Sequence, residues 1–420
     1  MPMSKAFEDR LHPDLRKIAD HFGTPFHIYD EAGIKGTGKR LKQAFANLPS
    51  GFGEFFAVKA LPNPRILQIM YEMGFGFDCS SIPELVLARE AGAMPGQIMF
   101  TSNNTSQEEF DAAMADGGCR LNLDDISFIS KVPEPFPRGI CFRYNPGEKR
   151  TGNAIIGNPV EAKYGVSDVQ IVDAYGQAIL RGAECFGLHT MLCSNERNYT
   201  YMVETIKMLL ELVERISLAH KIKFDYINFG GGLGIPYRPE DNPLDLESLG
   251  NEAFGLLEAF KQKHGYAPEL CMESGRFMTG PHGVLVAEAI NRKSTYREYV
   301  GVDACQTALM RPALYDAYHH ITVLNGDGRP TEVVDIVGAI CENCDKFAKQ
   351  RELPVISEGD LLMIHDTGAH GLAMGFNYNG RLRPKELLLR SDGTVELIRR
   401  AETIDDLFAT LTFEPESLAL

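Results

Sequence analysis

Eight short apolar runs between residues 50 and 276 constrain the fold of this chain more than any other feature. The segments between them, such as SIPELVLAREAGA and NYTYMVETIKMLLELVERISLAHK, carry apolar residues at helical spacing. Strands that alternate with helices form parallel sheets, and eight repeats predict a closed (β/α)8 barrel, the TIM-barrel fold. The eight runs are EFFAVK, FGFDCS, IMFTSN, RLNLDD, GICFRY, CFGLHT, YINFGG and LCMESG.

After about residue 284 the pattern becomes typical of β-structure. The last of these segments is a hairpin closed by Ser391, Asp392 and Gly393. We expect the early segment PFHIYD to join this region. The sequence therefore predicts a barrel over residues 37–284 and a second, all-β domain formed by residues 1–36 and 285–420. The strand-like segments are VLVAEAI, REYVGVDA, HHITVLN, TEVVDIVGAI, DLLMIHD and KELLLRSDGTVELIRRAE.

Charge and composition restrict the possible partners. The chain has 420 residues, enough for two domains, and a formal charge of −15, which argues against nucleic acid or an anionic membrane as partner. The N-terminus lacks the apolar core of a signal peptide, and no segment approaches the ~20 apolar residues that span a bilayer. Nine cysteines without regular spacing indicate reduced thiols, so we expect a cytoplasmic protein. Cys341 and Cys344 have C-x-x-C spacing, but no second pair follows and we expect no metal site.

Residues with reactive or binding groups follow the predicted barrel strands. Catalytic groups of such barrels lie at the C-terminal ends of the strands and in the loops that follow them. The clustering therefore predicts one site at this end of the barrel. The residues are Lys59, Asp78, Arg143, His189, Ser194, Gly231, Gly232, Glu273, Ser274, Gly275 and Arg276.

Lys59 ends the apolar run FFAVK. Desolvating an ammonium costs several kcal/mol, so this lysine either reaches solvent or serves as an amine nucleophile. In the second case its surroundings would lower its pKa and it would form an imine with an aldehyde cofactor. The sequence of this stretch leaves both interpretations open.

Two further motifs favour the second interpretation. NFGGGLGIPY places three glycines after a strand, which suits either a tight turn or a backbone cradle for phosphate. Glu273 and Arg276 in ESGRF suit either a rim ion pair or a carboxylate that keeps a pyridine nitrogen protonated. Pyridoxal phosphate contains an aldehyde, a phosphate and a pyridine, and it is therefore the predicted cofactor.

The chain resembles the fold-type III pyridoxal-phosphate decarboxylases, most closely the diaminopimelate decarboxylases, over nearly its whole length. The resemblance implies an alanine-racemase-like barrel and a Greek-key-like β barrel or sandwich. It also implies a homodimer in which CENCD reaches the barrel of the partner subunit. The shared motifs are FAVKA, FDCSS, FRYNPG, NFGGGLGIPY, ESGRF, MRPALYDAYHHI, GAICENCDKFA, HDTGAHGLAMGFNYNGRLRP and LIRRAET.

The resemblance also implies a role for each residue of the site. Lys59 would bind the cofactor aldehyde, Glu273 would face the pyridine nitrogen, and Cys341 would protonate the carbanion after carbon dioxide leaves. The other cofactor-binding residues would be Asp78, Arg143, His189, Ser194, Gly231, Gly232, Ser274, Gly275, Arg276 and Tyr378. The substrate would be bound by Arg276, Arg311, Tyr315, Glu342 and Tyr378, with arginine for carboxylate and Glu342 for the distal ammonium.

Two departures from the family pattern stand out. HTMLCSN replaces the usual His-x-His-x-Gly-Ser, so Met191 stands where a histidine usually stacks on the cofactor ring, and Cys193 replaces the glycine. A methionine is able to lie against an aromatic face in its place. ESGR replaces the usual EPGR, and we expect the lost proline to free one N–H and loosen the turn slightly.

The implied reaction is decarboxylation of meso-2,6-diaminopimelate to L-lysine and carbon dioxide, the last step of lysine biosynthesis. A sister decarboxylase of another carboxylated diamine, such as carboxynorspermidine or a siderophore precursor, is the main alternative. An amino-acid racemase on the same scaffold is another. The non-enzymatic alternative is a regulatory homologue that binds pyridoxal phosphate.

Overall fold

The structure is a computed structural model that describes residues 3–152 and 157–414. These residues divide into two compact units. The barrel unit is Ala32–Pro281, and the β unit comprises residues 3–31 and 282–414. Residues 1–2 and 415–420, which the sequence assigned to the β domain, lie outside the described residues.

Helices and strands alternate through the first part of the chain, and strands dominate the second. The helices, in chain order, are α1 (Lys5–Leu11), α2 (Leu15–Phe22), α3 (Glu31–Ala44), α4 (Pro64–Glu72), α5 (Ile82–Glu90), α6 (Gln107–Met114), α7 (Ile171–Leu180), α8 (Tyr199–His220), α9 (Leu246–His264), α10 (Arg276–Thr279), α11 (Arg311–Tyr315) and α12 (Ile404–Phe408). The strands are β1 (Phe26–Asp30), β2 (Phe52–Ala57), β3 (Gly76–Cys79), β4 (Ile98–Phe100), β5 (Arg120–Leu123), β6 (Gly139–Arg143), β7 (Cys185–His189), β8 (Tyr226–Asn228), β9 (Glu269–Met272), β10 (Gly283–Ser294), β11 (Glu298–Val302), β12 (Ile321–Val323), β13 (Thr331–Val337), β14 (Lys346–Pro354), β15 (Leu361–Ile364), β16 (Lys385–Leu389) and β17 (Val395–Arg399).

Strands β2–β9 form a closed parallel barrel, which confirms the prediction from the eight apolar runs. The barrel closes where β2 pairs with β9, with Phe52 opposite Leu270 and Glu54 opposite Met272. Only β5 lacks a following α-helix, since a short 3₁₀ helix over Ile126–Lys131 takes its place. The prolines of the next segment, VPEPFP, explain the difference because proline cannot donate the hydrogen bonds of a continuing helix.

Amphipathic helices pack around the barrel. The longest, α8, has 22 residues and begins at Asn198, whose side chain accepts the Thr200 N–H. Its buried side chains recur at helical spacing, from Met202 to Ile216, while its other faces are polar. Within the described ranges, no helix combines the length and the apolar character needed to cross a membrane.

The β unit is built on one connected sheet of nine strands. Strand β1 lies in its centre, antiparallel to β10 and parallel to β16, so the prediction that PFHIYD joins this region is confirmed. The predicted hairpin is β16–β17. Sequence patterns missed β14, a charged strand at the end of the sheet, and also α1 and α2, which bury Phe7 and Leu11 against the sheet.

A glycine contact between α9 and α3 generates a stability prediction. A Cβ on Gly250 would lie 2.1 Å from the carbonyl oxygen of Ala44, so Gly250→Ala forces the two helices apart. We expect the free energy of unfolding to fall by about 1–3 kcal/mol, measured by chemical denaturation. Gly255, on the same helix, has nothing within 4 Å of its Cβ position. Gly255→Ala should therefore leave stability unchanged or raise it by up to about 1 kcal/mol, and equal losses in both variants would contradict this account.

Candidate functional site

The structure places the predicted barrel residues at one end of the barrel. Each lies at the C-terminal end of a strand or in the loop after it, as the sequence predicts for a site in this fold. Lys59 follows β2, Asp78 lies in β3, Arg143 ends β6, His189 ends β7, Ser194 lies in the loop after β7, Gly231 and Gly232 follow β8, and Glu273, Ser274, Gly275 and Arg276 follow β9.

Lys59 forms an ion pair with a buried carboxylate. Its Nζ lies 2.9 Å from Oδ2 of Asp78, whose side chain is buried, while half of the Lys59 side-chain surface is accessible. Burial lowers the pKa of the Lys59 ammonium, but the charges of Asp78 and Glu273 outweigh it and hold this pKa above its ordinary value. The expectation that the surroundings of Lys59 lower its pKa is therefore wrong for this arrangement. The sequence placed Asp78 and Glu273 in the same site as Lys59, but it did not show that their charges would outweigh the effect of burial on the lysine.

Glu273 is held as a carboxylate by neutral and cationic neighbours. Its Oε2 lies 3.1 Å from His189 Nε2, and its Oε1 accepts a hydrogen bond from Asn228 Nδ2 at 2.8 Å. Burial raises the pKa of Glu273, but His189, Lys59 and Arg143 together lower it to about 2. Asp78 behaves in the opposite way, since burial and the Glu273 charge raise its pKa despite Lys59. Near neutral pH Glu273 therefore carries a negative charge.

The glycine turn after β8 approaches two other backbones closely. A Cβ on Gly231 would lie 2.5 Å from the carbonyl oxygen of Glu273, and a Cβ on Gly232 would lie 2.6 Å from that of Cys193. Gly232 also has φ of +102°, a conformation that side chains disfavour. The thioether of Met191 lies beside this turn, with Sδ 3.3 Å from the Gly231 nitrogen. Met191 thus lies against the turn, and its sulfur accepts the Gly231 N–H. The sequence had suggested that this N–H binds phosphate.

Arg276 lies in a buried position with hydroxyl partners. Its guanidinium donates to the Tyr237 hydroxyl and lies 3.5 Å from Ser194 Oγ. Among the described residues no carboxylate forms an ion pair with it, which leaves its charge available to an anion. Tyr237, in the sequence GIPY, was missed by sequence reasoning because nothing in that segment distinguishes it from a packed tyrosine.

The turn that carries Glu273 and Arg276 is tied rather than loosened. The Ser274 N–H donates to Oε1 of Glu54 at 2.8 Å, and the Glu273 N–H donates to the Gly230 carbonyl at 2.9 Å. The expected loosening by loss of proline is therefore not observed, because the freed N–H has a buried acceptor. Glu54 was also missed by sequence reasoning, although a carboxylate in an apolar strand was a signal.

Arg143 is fixed by three residues that the sequence did not single out. Its Nε donates to Asp124 at 2.6 Å and its Nη2 to Asn103 at 2.6 Å. The guanidinium carbon lies 4.6 Å from the centre of the Tyr164 ring, a cation–π distance. This arginine is therefore rigid, and it contributes a positive charge near Glu273.

The remaining predicted residues belong to the β unit. The Cys341 N–H donates to Asn379 Oδ1 at 2.7 Å, and a hydrogen bond between the Tyr378 hydroxyl and Glu342 raises the pKa of Tyr378. Cys341 and Glu342 are both exposed. The β unit thus groups Cys341, Glu342 and Tyr378.

Arg311 and Tyr315, also in the β unit, lie at opposite ends of α11. Arg311 is buried, with its Nε 3.4 Å from His319 Nε2, whereas Tyr315 is half exposed. Arg311 therefore has the buried partner that its position between apolar stretches indicates.

Comparison with known proteins gives the relationship. A model of the pyridoxal-dependent decarboxylase, pyridoxal binding domain, matches residues 34–280. Protein TabA of Pseudomonas amygdali pv. tabaci is 47% identical over 99% of this chain and 97% of its own. The diaminopimelate decarboxylase of Methanothermobacter thermautotrophicus is 36% identical over 94% of this chain and 93% of its own. The chain belongs to the pyridoxal-dependent decarboxylase family.

Membership makes this protein a carboxy-lyase that uses pyridoxal phosphate. A solved structure of a decarboxylase is similar to this chain over nearly its whole length. The diaminopimelate decarboxylase of M. jannaschii, in complex with L-lysine, has a TM-score of 0.89 and 29% identity, covering 95% of this chain and 94% of that chain. The barrel with its additional strand-rich unit is therefore the fold of this decarboxylase family.

The barrel residues fit the chemistry of pyridoxal phosphate. Asp78 Oδ1 and His189 Nδ1 are buried and have no hydrogen-bond partner within the part of the chain that the structure describes. Buried polar atoms of this kind are expected to find a partner in a ligand or water. An amine at Lys59, an ionised Glu273 and a glycine turn match the aldehyde, ring nitrogen and phosphate of the cofactor in turn.

The close approach at Gly232 makes cofactor binding sensitive to a single methyl group. Gly232→Ala should raise the dissociation constant of pyridoxal phosphate at least about tenfold, because the turn must move away from Cys193. Fluorescence titration of the cofactor-depleted protein measures this constant.

Gly182→Ala is the matched control, because Gly182 has the same φ of +102° but nothing within 4 Å of its Cβ position. Both variants should lose roughly 1–2 kcal/mol of stability from backbone strain, and Gly232→Ala should lose more because of its overlap with Cys193. Gly182→Ala should bind the cofactor normally. Unchanged cofactor affinity in Gly232→Ala would contradict a role of this turn in binding.

Proposed function

We propose that this enzyme decarboxylates meso-2,6-diaminopimelate to L-lysine and carbon dioxide, the last step of lysine biosynthesis. The buried Arg276, whose partners among the described residues are hydroxyl groups, is the observation that carries this proposal. A buried guanidinium of this kind suits a carboxylate, and diaminopimelate keeps a carboxylate at its distal end. Relatives named diaminopimelate decarboxylase, and a similar structure in complex with L-lysine, support the same substrate.

Bound pyridoxal phosphate supplies an electron sink for the carbanion that forms as carbon dioxide leaves. The residues proposed to hold it carry complementary charges. Lys59 would provide the amine for its aldehyde once its ammonium loses a proton, and Asp78, its ion-pair partner at 2.9 Å, would accept that proton and orient the amine. Glu273, kept ionised by His189, faces the ring nitrogen and keeps it protonated. Arg143 adds a fixed positive charge near Glu273.

The phosphate is proposed to bind where the loops after β7, β8 and β9 meet. Backbone N–H groups in glycine-rich turns bind phosphate because no Cβ keeps the oxygens away. The hydroxyls of Ser194 and Tyr378 provide additional donors. The proposed set is Ser194, Gly231, Gly232, Ser274, Gly275, Arg276 and Tyr378. Within it, Gly231 and Ser274 are proposed to shape the turn, because their N–H groups donate to Met191 Sδ and Glu54 Oε1.

Substrate recognition is proposed to use both units. Arg276 and Arg311 bind carboxylate, assisted by the hydroxyls of Tyr315 and Tyr378. Glu342 receives the distal ammonium, a role for which its exposed carboxylate is suited. Cys341 is the acid that protonates the carbanion, a role that its exposed, free side chain leaves open to it.

The active form is proposed to be a homodimer in which the barrel of one subunit and the CENCD segment of its partner complete each site. The reaction is placed in the cytoplasm, because all nine cysteines are free thiols, as expected in a reducing compartment.

A sister decarboxylase of another carboxylated diamine is the second candidate. The identity to TabA, 47%, exceeds the 36% to the diaminopimelate decarboxylase of M. thermautotrophicus. The name of TabA states no substrate, so this similarity does not point to diaminopimelate. Carboxynorspermidine should therefore be tested beside it. Each compound carries a carboxylate that an arginine is able to bind. In carboxynorspermidine this is the carboxyl group that leaves, whereas diaminopimelate has a second one, at its distal end, that stays.

A substrate panel tests the proposal directly. The enzyme, loaded with pyridoxal phosphate, is given meso-diaminopimelate, carboxynorspermidine, L-lysine and L-ornithine in parallel. We expect carbon dioxide release from meso-diaminopimelate with L-lysine as the product identified by mass spectrometry. Lys59→Ala should abolish turnover and the absorbance of the bound cofactor. Turnover of carboxynorspermidine or L-ornithine instead of diaminopimelate would refute the substrate assignment.

A complementation experiment tests the shared site. Lys59→Ala and Cys341→Ala should each be inactive or lose about 10²–10⁴-fold in kcat, the range for loss of an acid–base group. Co-expressed, the two variants form mixed dimers in which one of two sites has both residues intact. Activity should recover to about a quarter of the wild-type value if sites are shared across a twofold axis.

Cys344→Ala is the control, since Cys344 is exposed in the same short segment as Cys341. This variant should retain wild-type activity. Failure of the mixed dimers to recover activity would mean that Lys59 and Cys341 act within the same subunit or that Cys341 is not the acid.

A further inference from the structure

A third carboxyl group is buried on a barrel strand, close to the two that the cofactor site uses. Glu54 belongs to β2, five positions before Lys59, and is only 3% exposed. Its buried position is unusual, because carboxylates are almost never fully buried without a partner. The chain must therefore gain something from it that an apolar residue would not supply.

The partner of Glu54 is the turn that carries Glu273. Its Oε1 accepts the Ser274 backbone N–H at 2.8 Å. The second oxygen, Oε2, has no hydrogen-bond partner among the residues that the structure describes. The bond to Ser274 is thus the polar contact that this carboxyl makes, and it joins β2 to the loop after β9.

The same loop packs directly on the segment that carries Lys59. A Cβ on Gly275 would lie 2.5 Å from Ala60 Cβ and 3.3 Å from Ala57 Cβ. Ala57 and Ala60 flank Lys59, so the loop and the lysine segment are in van der Waals contact. The Glu54–Ser274 hydrogen bond also ties this loop to β2, the strand that leads into the lysine segment.

Glu54 is suited to this task because it adds little negative charge. Burial raises its pKa well above the ordinary value, and the nearby carboxylates of Glu273 and Asp78 raise it further, against the opposing effect of the Ser274 N–H. The protonated form, which this shift of the pKa favours, accepts the N–H without competing with Glu273 for the positive charges around it.

We propose that Glu54 is a positioning residue, which sets the spacing between Lys59 and Glu273 by holding the Ser274 N–H. The inference rests on the roles proposed above for Lys59 and Glu273. The family pattern EPGR has proline at this position, and proline has no N–H to donate. Serine at position 274 and glutamate at position 54 therefore work as a pair in this chain.

Removal of the acceptor tests the proposal. Glu54→Ala should raise the dissociation constant of pyridoxal phosphate about tenfold and lower kcat to a similar extent, the effect expected when a buried N–H loses its partner. Glu54→Gln keeps an oxygen acceptor and should restore both values to within about threefold of wild type. The KM for substrate should stay unchanged in both variants, because Glu54 acts on the cofactor loops.

A double-mutant cycle identifies Ser274 as the partner. Ser274→Pro removes the N–H, so Glu54→Ala should have little further effect on cofactor affinity in that background. Glu269→Ala, at the opposite end of β9, is the control for a lost carboxylate and should leave cofactor affinity unchanged. Thermal unfolding of each holoenzyme separates these effects from general destabilisation.

Two outcomes would overturn the proposal: cofactor affinity within twofold of wild type in Glu54→Ala, or an equal defect in Glu54→Ala and Glu54→Gln at matched melting temperatures. Additive effects of Glu54→Ala and Ser274→Pro would also contradict it. A Lys59→Ala protein that keeps normal cofactor absorbance would instead refute the proposed function, so the two failures are distinguishable.

Discussion

The site depends on how opposite charges are balanced where they are withdrawn from water at one end of the barrel. An unpaired carboxylate in such a place would shed its charge, because burial disfavours the ionised form. Asp78 and Glu273 face this constraint together and resolve it differently. His189, Lys59 and Arg143 lower the pKa of Glu273, while Asp78, beside the Glu273 charge, has a raised pKa. Environments that separate the pKa values of neighbouring carboxyls assign them different tasks.

This balance of charges requires the backbones of the loops after the barrel strands to approach one another closely. The loops after β7, β8 and β9 meet at Gly231 and Gly232, and Gly275 packs on the segment that carries Lys59. At each of these glycines a Cβ would overlap a neighbouring atom. Glycine at these positions lets Glu273 lie within reach of residues from other strands. The charge of Glu273 therefore depends on the close packing of these loops. Without the glycines, the Glu273 carboxylate would be displaced from His189 and its pKa would rise.

The sequence predicted the barrel well because each of its strands is a short apolar run followed by a helical or loop segment, and such a run indicates a buried strand. It also placed the reactive residues at the correct strand ends, since that position follows from the fold. The apolar pattern failed to identify elements that contain charged residues. Strand β14 is too charged to stand out, and Glu54 looks like an interruption of its strand. The raised pKa of Lys59 depends on distances between strands, which no local pattern contains.

The departures of this chain from its family share a physical feature. Met191 contacts the Gly231 N–H through its sulfur, and Cys193 presents its sulfur and carbonyl to the Cα of Gly232. Ser274 gives its N–H to Glu54. Each substitution thus changes how a loop backbone is held, whereas Lys59, Glu273 and Arg276, which carry the charges, are retained. Substitutions of this kind keep the charged residues and change the contacts that hold the loops around them. They therefore adjust the geometry of the cofactor site and leave the class of reaction unchanged.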